Sequence, residues 1–558
     1  MYQHVHSPLP GQMMRRPLLI SSILRHADRH FGDREIVSRQ DDGSLHRYTY
    51  RDCHSRSRKL AGALAAMDVR MGDRVGTLAW NGHRHLELYY AVSGSGAVIH
   101  TINPRLHAEQ LAFIINDAGD QHLFFERSFA PLVKSIAPRC PNVKSFILLD
   151  RDAAGIEGIP RLVCYEDLIA ARDDDYTWPV FDEDAASGLC YTSGTTGNPK
   201  GVLYSHRSTM LHSYASVAPD MLNLSARDCV MPVVPMFHVN AWGLPYSAAL
   251  VGAKLVLPGP ALDGASLHEL FEREGVTFSA GVPTIWLGLL NHVRGNGLRF
   301  STFARTVIGG SACPPALMDA FRDDYGVQVI HAFGMTEISP IATVCTLQAH
   351  HAALPPAEQR LLLQAQGRVP FGVDMKIVDD DGAELPWDGQ TFGHLMVRGP
   401  WVVDAYFQQP PGSAVVDGWF PTGDVSTISA DGYMRITDRS KDLIKSGGEW
   451  IGSIDLENIA MAHASVLQAA CVAVAHPKWE ERPLLVVVRK PGCALERDAL
   501  LAHFEGKVAR WWIPDDVVFV DSLPMGPTGK VQKNRIRERY RDHLIKTTSE
   551  NRGQTPRV

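Results

Sequence analysis

Apolar residues change period along the chain, and the changes mark out elements. From Ser21 to about Ala185, helical spacing in Tyr50 to Met67 and Glu109 to Ala118 alternates with short apolar runs at Val75 to Ala79, His122 to Phe125 and Ser145 to Leu149. Such runs, bounded by polar residues, predict strands covered on both faces, as in parallel sheets with helical crossovers. The middle of the chain repeats the theme. Lys254 to Leu257, Phe278 to Gly281, Thr306 to Ile308 and Val327 to His331 read as strands, and Leu267 to Glu274 and Pro314 to Tyr325 as helices.

After Phe371 the pattern turns to short strands separated by Asp379-Asp380-Asp381-Gly382, Asp417-Gly418 and Asp431-Gly432, which are turn signals at hairpin spacing. A further shift falls at Asp438-Arg439-Ser440-Lys441-Asp442. The expected fold is α/β, multidomain. Residues 1–437 would form a large N-terminal domain of two βα sheet subdomains and a β-rich subdomain, and residues 438–442 a hinge. Residues 443–546 would form a small mobile α+β domain, and 547–558 a disordered tail, polar with Gly and Pro. No repeat is present, which excludes a solenoid.

Composition narrows the function classes. The 558 residues carry 55 Lys+Arg against 61 Asp+Glu, a net charge of −6, with 45% hydrophobic residues. This balance excludes a polybasic nucleic-acid or membrane-surface protein. Nine scattered cysteines, none in Cys-x-x-Cys, write neither a disulfide framework nor a zinc ribbon and fit a reducing, cytoplasmic setting. Met1 to Arg16 hold no apolar core after a basic start, so no secretory signal is expected. The uncharged stretch Cys229 to Gly252 contains Pro232, Pro235, His238, Asn240 and Pro245, which reads as buried strand and loop, not a membrane span.

The densest chemical signal is Tyr191-Thr192-Ser193-Gly194-Thr195-Thr196-Gly197-Asn198-Pro199-Lys200-Gly201. Glycines let backbone approach an anion, hydroxyls and amides donate to its oxygens, and the lysine adds a point charge, so the loop suits a polyphosphate. Its spacing is not that of a P-loop NTPase. With Phe333-Gly334-Met335-Thr336-Glu337, Phe420-Pro421-Thr422-Gly423-Asp424, Asp438-Arg439-Ser440-Lys441-Asp442 and Pro527-Thr528-Gly529-Lys530 following in order, nearly the whole chain resembles the adenylate-forming (AMP-binding) superfamily. Pro235-Met236-Phe237-His238-Val239-Asn240-Ala241-Trp242 and Lys445-Ser446-Gly447-Gly448-Glu449-Trp450-Ile451 are similar to medium- and long-chain fatty acyl-CoA ligases and to methylthiopropionyl-CoA ligases.

The resemblance implies ATP, Mg²⁺ and the co-substrate CoA, a small carboxylic acid as partner, and a homodimer through the N-terminal domain. Thr192, Ser193, Gly194, Thr195, Thr196 and Lys200 would hold the β- and γ-phosphates, and Thr336 the α-phosphate. Glu337 is the implied Mg²⁺ contact, with Thr196 beside it; by itself the glutamate also reads as a solvated helix-start residue. Asp424 would accept both ribose hydroxyls with Arg439 assisting, and Phe333 would lay its ring on adenine opposite Gly309-Gly310-Ser311-Ala312. Lys530 is implied to bridge the acyl carboxylate and the α-phosphate, where one cation acts as charge develops; its neighbour Lys533 reads as a surface residue. Lys441 matches the family's hinge position, and Gly447, Gly448 and Trp450 its pantetheine channel. His238 would stand between acyl and nucleotide sites, Trp242 at the mouth of the acyl tunnel, and Val282 in its wall.

The activity implied is an acyl-CoA synthetase for a medium-chain or longer fatty acid. The alternatives are a ligase for a small acid such as 3-(methylthio)propionate, an enzyme loading a carrier protein, and a non-catalytic nucleotide- or acyl-binding homologue. The last is disfavoured by Lys200, Glu337, Asp424, Arg439 and Lys530 occurring together. No Gly-x-Gly-x-x-Gly with an acidic partner follows a strand, which disfavours a redox enzyme.

Overall fold

The computed structural model describes residues 11–192, 198–446, 449–526 and 530–545. Seven described strands form one sheet in the order Leu162–Cys164, Ser145–Leu148, His122–Phe125, Arg74–Leu78, Val98–Thr101, Ala186–Tyr191 and Gly201–Ser205. All neighbours are parallel except the last pair, which folds back antiparallel with Tyr191 opposite Gly201. That hairpin closes the base of the Gly/Ser/Thr loop.

A second sheet of eight runs Ile341–Val344, Gln328–Gly334, Arg305–Ile308, Phe278–Gly281, Cys229–Pro232, Lys254–Leu257, Glu35–Arg39 and Leu45–Thr49, parallel inside and antiparallel at both edges. Its interior strands are buried along their length, which explains their unbroken apolar runs. Helix His83–Gly94 buries every residue but Arg84, and its buried Glu87 is paired with Arg56 at 2.8 Å. A helix apolar on most sides belongs between layers. One hydrophobic cluster accordingly joins Ile99 and Phe124 of the first sheet to Val230 and Phe278 of the second.

The β-rich part is a four-stranded antiparallel sheet, Asp374–Val378, Phe392–Arg398, Phe420–Ile428 and Met434–Arg439, in which Asp424 lies opposite Arg439. The chain then turns through 440–443, with the Asp442 and Leu443 amides donating to Arg439 O. A smaller sheet follows from Ile444–Ser446, Glu449–Ile451, Val466–His476, Glu480–Arg489 and Asp516–Phe519, with helices Ser453–Met461 and Lys533–Tyr540.

Three expectations are corrected. Only Cys229–Pro232 of the uncharged stretch is strand, and Leu244–Val251 is a helix. Pro245 sits in its first turn, where a missing amide costs no intrahelical bond. Among the described residues no helix is long and apolar enough to cross a membrane. Pro314 to Tyr325 is two elements, an α-turn Pro315–Asp319 and a π-helical turn Ala320–Asp324 that carries Phe321 fully into the core. Lys533 is not a free surface residue: its Nζ lies 2.7 Å from Glu457 and donates to Ser453 Oγ at 2.6 Å. The tail 547–558 lies outside the described residues.

That lysine belongs to a chain of bonds across the junction. The Ser453 amide and hydroxyl donate to Asp438 Oδ2 at 2.6 and 2.5 Å, so the strand ending at Arg439 holds the N-terminus of helix Ser453–Met461. Lys533 is the cation that neutralises Asp438 and Glu457 together. Removing one partner of a buried pair costs about 3 kcal/mol or more because the other charge stays dehydrated. Lys533→Met should therefore lower unfolding stability by roughly 3 kcal/mol in denaturant titration, and an unchanged midpoint would show the pair to be solvated.

Candidate active site

The hairpin Ala186–Tyr191/Gly201–Ser205 fixes both ends of the Gly/Ser/Thr loop, and the Thr192 amide donates to Lys200 O at 2.9 Å. Ser193, Gly194, Thr195 and Thr196 lie outside the described residues. Lys200 is exposed, with its Nζ 4.7 Å from the centroid of the Tyr406 ring. The Tyr406 hydroxyl donates to Glu337 Oε1 at 3.0 Å. Tyr406, which carries no motif and was not singled out from sequence, thus links the lysine to the glutamate. Glu337 and Thr336 are buried in the short turn Thr336–Ile338, which is anchored by Tyr204 donating to Thr336 O at 2.8 Å and by Val403 N–H donating to Glu337 O at 2.8 Å. Burial raises the Glu337 pKa, opposed by Tyr406, Arg439 and Lys200.

On the facing side, Asp424 is 3% exposed. Its Oδ1 lies 3.2 Å from Arg439 Nε, while its Oδ2 is buried and has no hydrogen-bond partner among the described residues. Burial raises its pKa, with Arg439 and then Lys530 pulling it back. An unmet carboxylate oxygen is costly unless a donor arrives. Lys530 reaches this cleft from the C-terminal part. Loss of hydration brings its amine down to about 8, Arg439 adding to the fall and Asp424 and Glu337 opposing it. As a residue Lys530 is exposed, so the loss of hydration at its amine reflects crowding by the facing cleft walls, not sealed burial.

A left-handed turn forms the third wall. Val239, Asn240, Ala241 and Trp242 have φ of 47°, 52°, 48° and 58°, and Gly243 follows at 78°. Side chains in this region cost roughly 1–2 kcal/mol per residue, so the turn needs support. Asn81 supplies it by donating to Pro232 O and Val234 O at 2.8 and 2.9 Å and accepting from Met236 N–H at 2.7 Å, while the Tyr89 hydroxyl donates to Met236 O and lies 3.2 Å from Asn240 Oδ1. His238 heads the turn, its pKa lowered to about 4 by burial and then by Lys530, and is therefore neutral. The Trp242 ring lies against Gly309 and Gly310: a Cβ on Gly309 would be 3.4 Å from Trp242 Cη2 and 2.9 Å from Ala332 O. A Cβ on Gly310, at φ 80°, would be 3.4 Å from Val282 Cγ1 and 4.0 Å from Lys530 Cε. Trp242, Val282 and Lys530 thus converge on two glycines that make room for them.

Other expected residues lie at the edges. Phe333 is packed with Ile338, Trp401 and Met434 and is 8% exposed. Ser311 is exposed, and Ala312 lines a cavity of about 580 Å³ between the two parts of the chain, with Arg435, Asp455, Asn458 and Trp512. Lys441 is exposed within the turn 440–443. Gly447 and Gly448 lie outside the described residues, and Trp450 falls in the strand Glu449–Ile451. Three cations, Lys200, Arg439 and Lys530, thus surround two carboxylates and a neutral histidine, a setting for a polyanionic ligand whose charge shifts during reaction.

A model described as AMP-binding enzyme matches residues 24–407, and one described as AMP-binding enzyme C-terminal domain matches 455–530. The chain is 54% identical over 540 residues to a medium-chain-fatty-acid–CoA ligase of Ectopseudomonas oleovorans, covering 97% of this chain and 99% of that one. It is 55% identical over 535 residues to a 3-methylmercaptopropionyl-CoA ligase of Ruegeria lacuscaerulensis (96% and 99% covered). A long-chain-fatty-acid–CoA ligase of Thermus thermophilus is 45% identical over 539 residues (96% and 98%). Among solved structures, an anthranilate CoA ligase in complex with anthranoyl-AMP superposes with a TM-score of 0.84 at 23% identity over 95% of this chain and 99% of that one, which speaks for the fold.

The geometry around Lys530 makes a measurable statement. Its amine should titrate near about 8 in the ligand-free protein. Arg439→Met should raise that value, because the first charged neighbour disfavouring the ammonium is gone, and Asp424→Asn should lower it. The pH dependence of Lys530 acetylation, read by mass spectrometry, checks both signs; a wild-type midpoint near that of ordinary lysine would place the amine in open water.

Proposed function

The chain belongs to the AMP-binding enzyme family, and from that premise we propose that it is an ATP-dependent acyl-CoA synthetase acting on a medium-chain or longer fatty acid. The observation that carries the reading is the cleft itself: Asp424 holds an unmet buried oxygen beside Arg439, with Lys530 reaching in from the C-terminal part. A ribose hydroxyl is the kind of donor Asp424 Oδ2 requires. The conservation of length with the three ligases, across nearly the whole chain, supports the same activity.

In the first half-reaction an acid oxygen attacks the α-phosphorus of ATP, the bond to the bridging oxygen breaks, and pyrophosphate leaves. Lys530 would stabilise the carboxylate and α-phosphate oxygens at once, Thr192 and Lys200 the departing phosphates, and Thr336 the α-phosphate. His238, neutral and half-buried, would separate acid from nucleotide without adding charge. Glu337 is a hard oxygen ligand beside the phosphate loop and fits Mg²⁺, which when bound supplies charge neutralisation at the phosphates. In the second half-reaction the CoA sulfur attacks the acyl carbon, the acyl–oxygen bond breaks, AMP leaves, and the thiol proton goes to solvent. The turn at Lys441 would let the C-terminal part withdraw Lys530 so that the thiol can enter. We place the reaction in the cytosol, consistent with nine cysteines that form no disulfide, and expect the homodimer that the resemblance implies.

A second reading is favoured by one observation. The methylmercaptopropionyl-CoA ligase of Ruegeria lacuscaerulensis is as similar as the medium-chain enzyme, so a small thioether acid remains the competing substrate.

Two measurements test the proposal. Lys530→Ala should reduce acyl-adenylate formation at least a hundredfold, as expected for a lost transition-state donor, and leave thioester formation from preformed acyl-AMP largely intact; equal loss in both steps would remove Lys530 from its assigned role. For the acid, kcat/KM should rise roughly fourfold for each added CH₂ while the tunnel admits it, at about 0.8 kcal/mol per group. Trp242→Ala should move the optimum to longer chains. A wild-type optimum at an acid of a few carbons would instead establish the small-acid ligase.

A further inference from the structure

Away from the cleft, the hairpin between Phe420–Ile428 and Met434–Arg439 presents Asp431 at its tip, beyond Met434, which is itself about 17 Å along the strand from Arg439 at 3.3 Å per residue. Facing it is the short helical turn Ala349–Ala353, which leaves the edge of the eight-stranded sheet and carries two adjacent histidines. His350 Nε2 lies 3.4 Å and His351 Nε2 3.3 Å from the same oxygen, Asp431 Oδ2, and the three atoms lie within 4.8 Å of one another. We propose that His350, His351 and Asp431 form a binding site for a divalent transition ion of the zinc class, distinct from the Mg²⁺ site at the phosphates.

The distances are the first argument. An N–H donor bonded to a carboxylate usually sits at about 2.7–2.9 Å. Both contacts here are longer. A tetrahedral ion with ligands at about 2.0–2.1 Å has ligand-to-ligand edges of about 3.3–3.4 Å, which is the separation the two imidazoles keep from Asp431.

The surroundings are the second. His351 is 2% exposed, and its ring packs edge-on against Tyr433 at 5.3 Å, so one ligand is held in a rigid wall. The His350 and Asp431 side chains are 58% and 51% exposed, leaving a side open for entry and for a water as fourth ligand. Binding through Nε2 requires the proton on Nδ1. That atom has an acceptor in the Tyr433 hydroxyl oxygen at 3.3 Å, and this hydroxyl's own proton goes to Thr346 O at 2.7 Å. The arrangement is the kind of outer support that orients a ligating histidine. In the metal-free protein the Gln348 amide donates to His351 Nδ1 at 3.1 Å, so Nε2 holds the ring proton and faces Asp431; binding the ion shifts the proton to Nδ1 and costs the Gln348 hydrogen bond. Two neutral imidazoles and one carboxylate select zinc, cobalt or nickel over magnesium and calcium, which take all-oxygen shells. The ion would fasten the edge of the large sheet to the hairpin that delivers Arg439, and its binding would stabilise the folded chain by mass action.

The test uses the full-length protein stripped with EDTA and dialysed against graded ZnCl₂ in excess MgCl₂. The wild type should bind one zinc more than His350→Ala or Asp431→Asn, or bind it at least about tenfold more tightly, and zinc should raise its melting temperature more than theirs. CoCl₂ in place of zinc should give tetrahedral visible absorption bands in the wild type that are weaker in both variants. Asp431→Asn keeps the side-chain volume, and the melting temperature without metal shows that each variant is folded. Equal zinc stoichiometry and affinity in all three proteins would overturn the site, as would displacement of the extra zinc by magnesium.

Discussion

A carboxylate as dehydrated as that of Asp424 remains an anion only with a cation at hand, and Arg439, paired across from it on the neighbouring strand, supplies one at 3.2 Å. The strand that ends at Arg439 also carries Asp438, whose bonds to Ser453 hold the first helix of the C-terminal part. One strand end therefore fixes both the charge balance of the cleft and the attachment of the unit that brings Lys530 into it. Displacing Arg439 would leave Asp424 dehydrated beside a lysine alone, at a cost set by electrostatics in a low-dielectric setting. The second carboxylate is handled differently. Glu337 is held by the Tyr406 hydroxyl, and Lys200 rests over that ring, exposed to a passing anion.

The acyl side of the cleft is organised by backbone geometry. Four successive side-chain-bearing residues in the left-handed region would not persist in isolation. They persist because Asn81 and Tyr89, projecting from the first sheet's side, satisfy the backbone around them. Trp242 emerges at the end of this turn, against a glycine pair that a methyl group would crowd. The indole is thus aimed by the seven-stranded sheet's neighbourhood although it belongs to the other sheet's connection.

Much of the sheet framework was legible because parallel strands buried on both faces write unbroken apolar runs. His122–Phe125, Lys254–Leu257 and Phe278–Gly281 have the bounds their sequence suggests. Helix Leu244–Val251 was not legible, because Pro245 reads as a breaker unless one knows that it occupies the first turn. The left-handed turn was equally hidden: only Asn240 and Gly243 favour that region, and the support comes from Asn81 and Tyr89, distant in sequence. Within the site, Asp424, Arg439, Glu337 and Lys530 were named through family motifs, and single-residue chemistry alone would have left each as a turn, helix-start or surface group. Tyr406 had no motif to mark it. Lys533 was misread because burial of a lysine depends on carboxylates, Glu457 and Asp438, that lie far away along the chain.

The depressed titration of Lys530 bears on when the two parts of the chain come together. An ammonium near neutral pH must shed water to enter the cleft, and Arg439 makes the place less welcoming still. Asp424 and Glu337 return part of that cost, and an anionic acid or phosphate in the cleft returns more. On the proposed mechanism, negative charge in the cleft would favour the docked arrangement over one with Lys530 withdrawn. The lysine would then be drawn into the cleft most strongly when carboxylate and nucleotide are both in place.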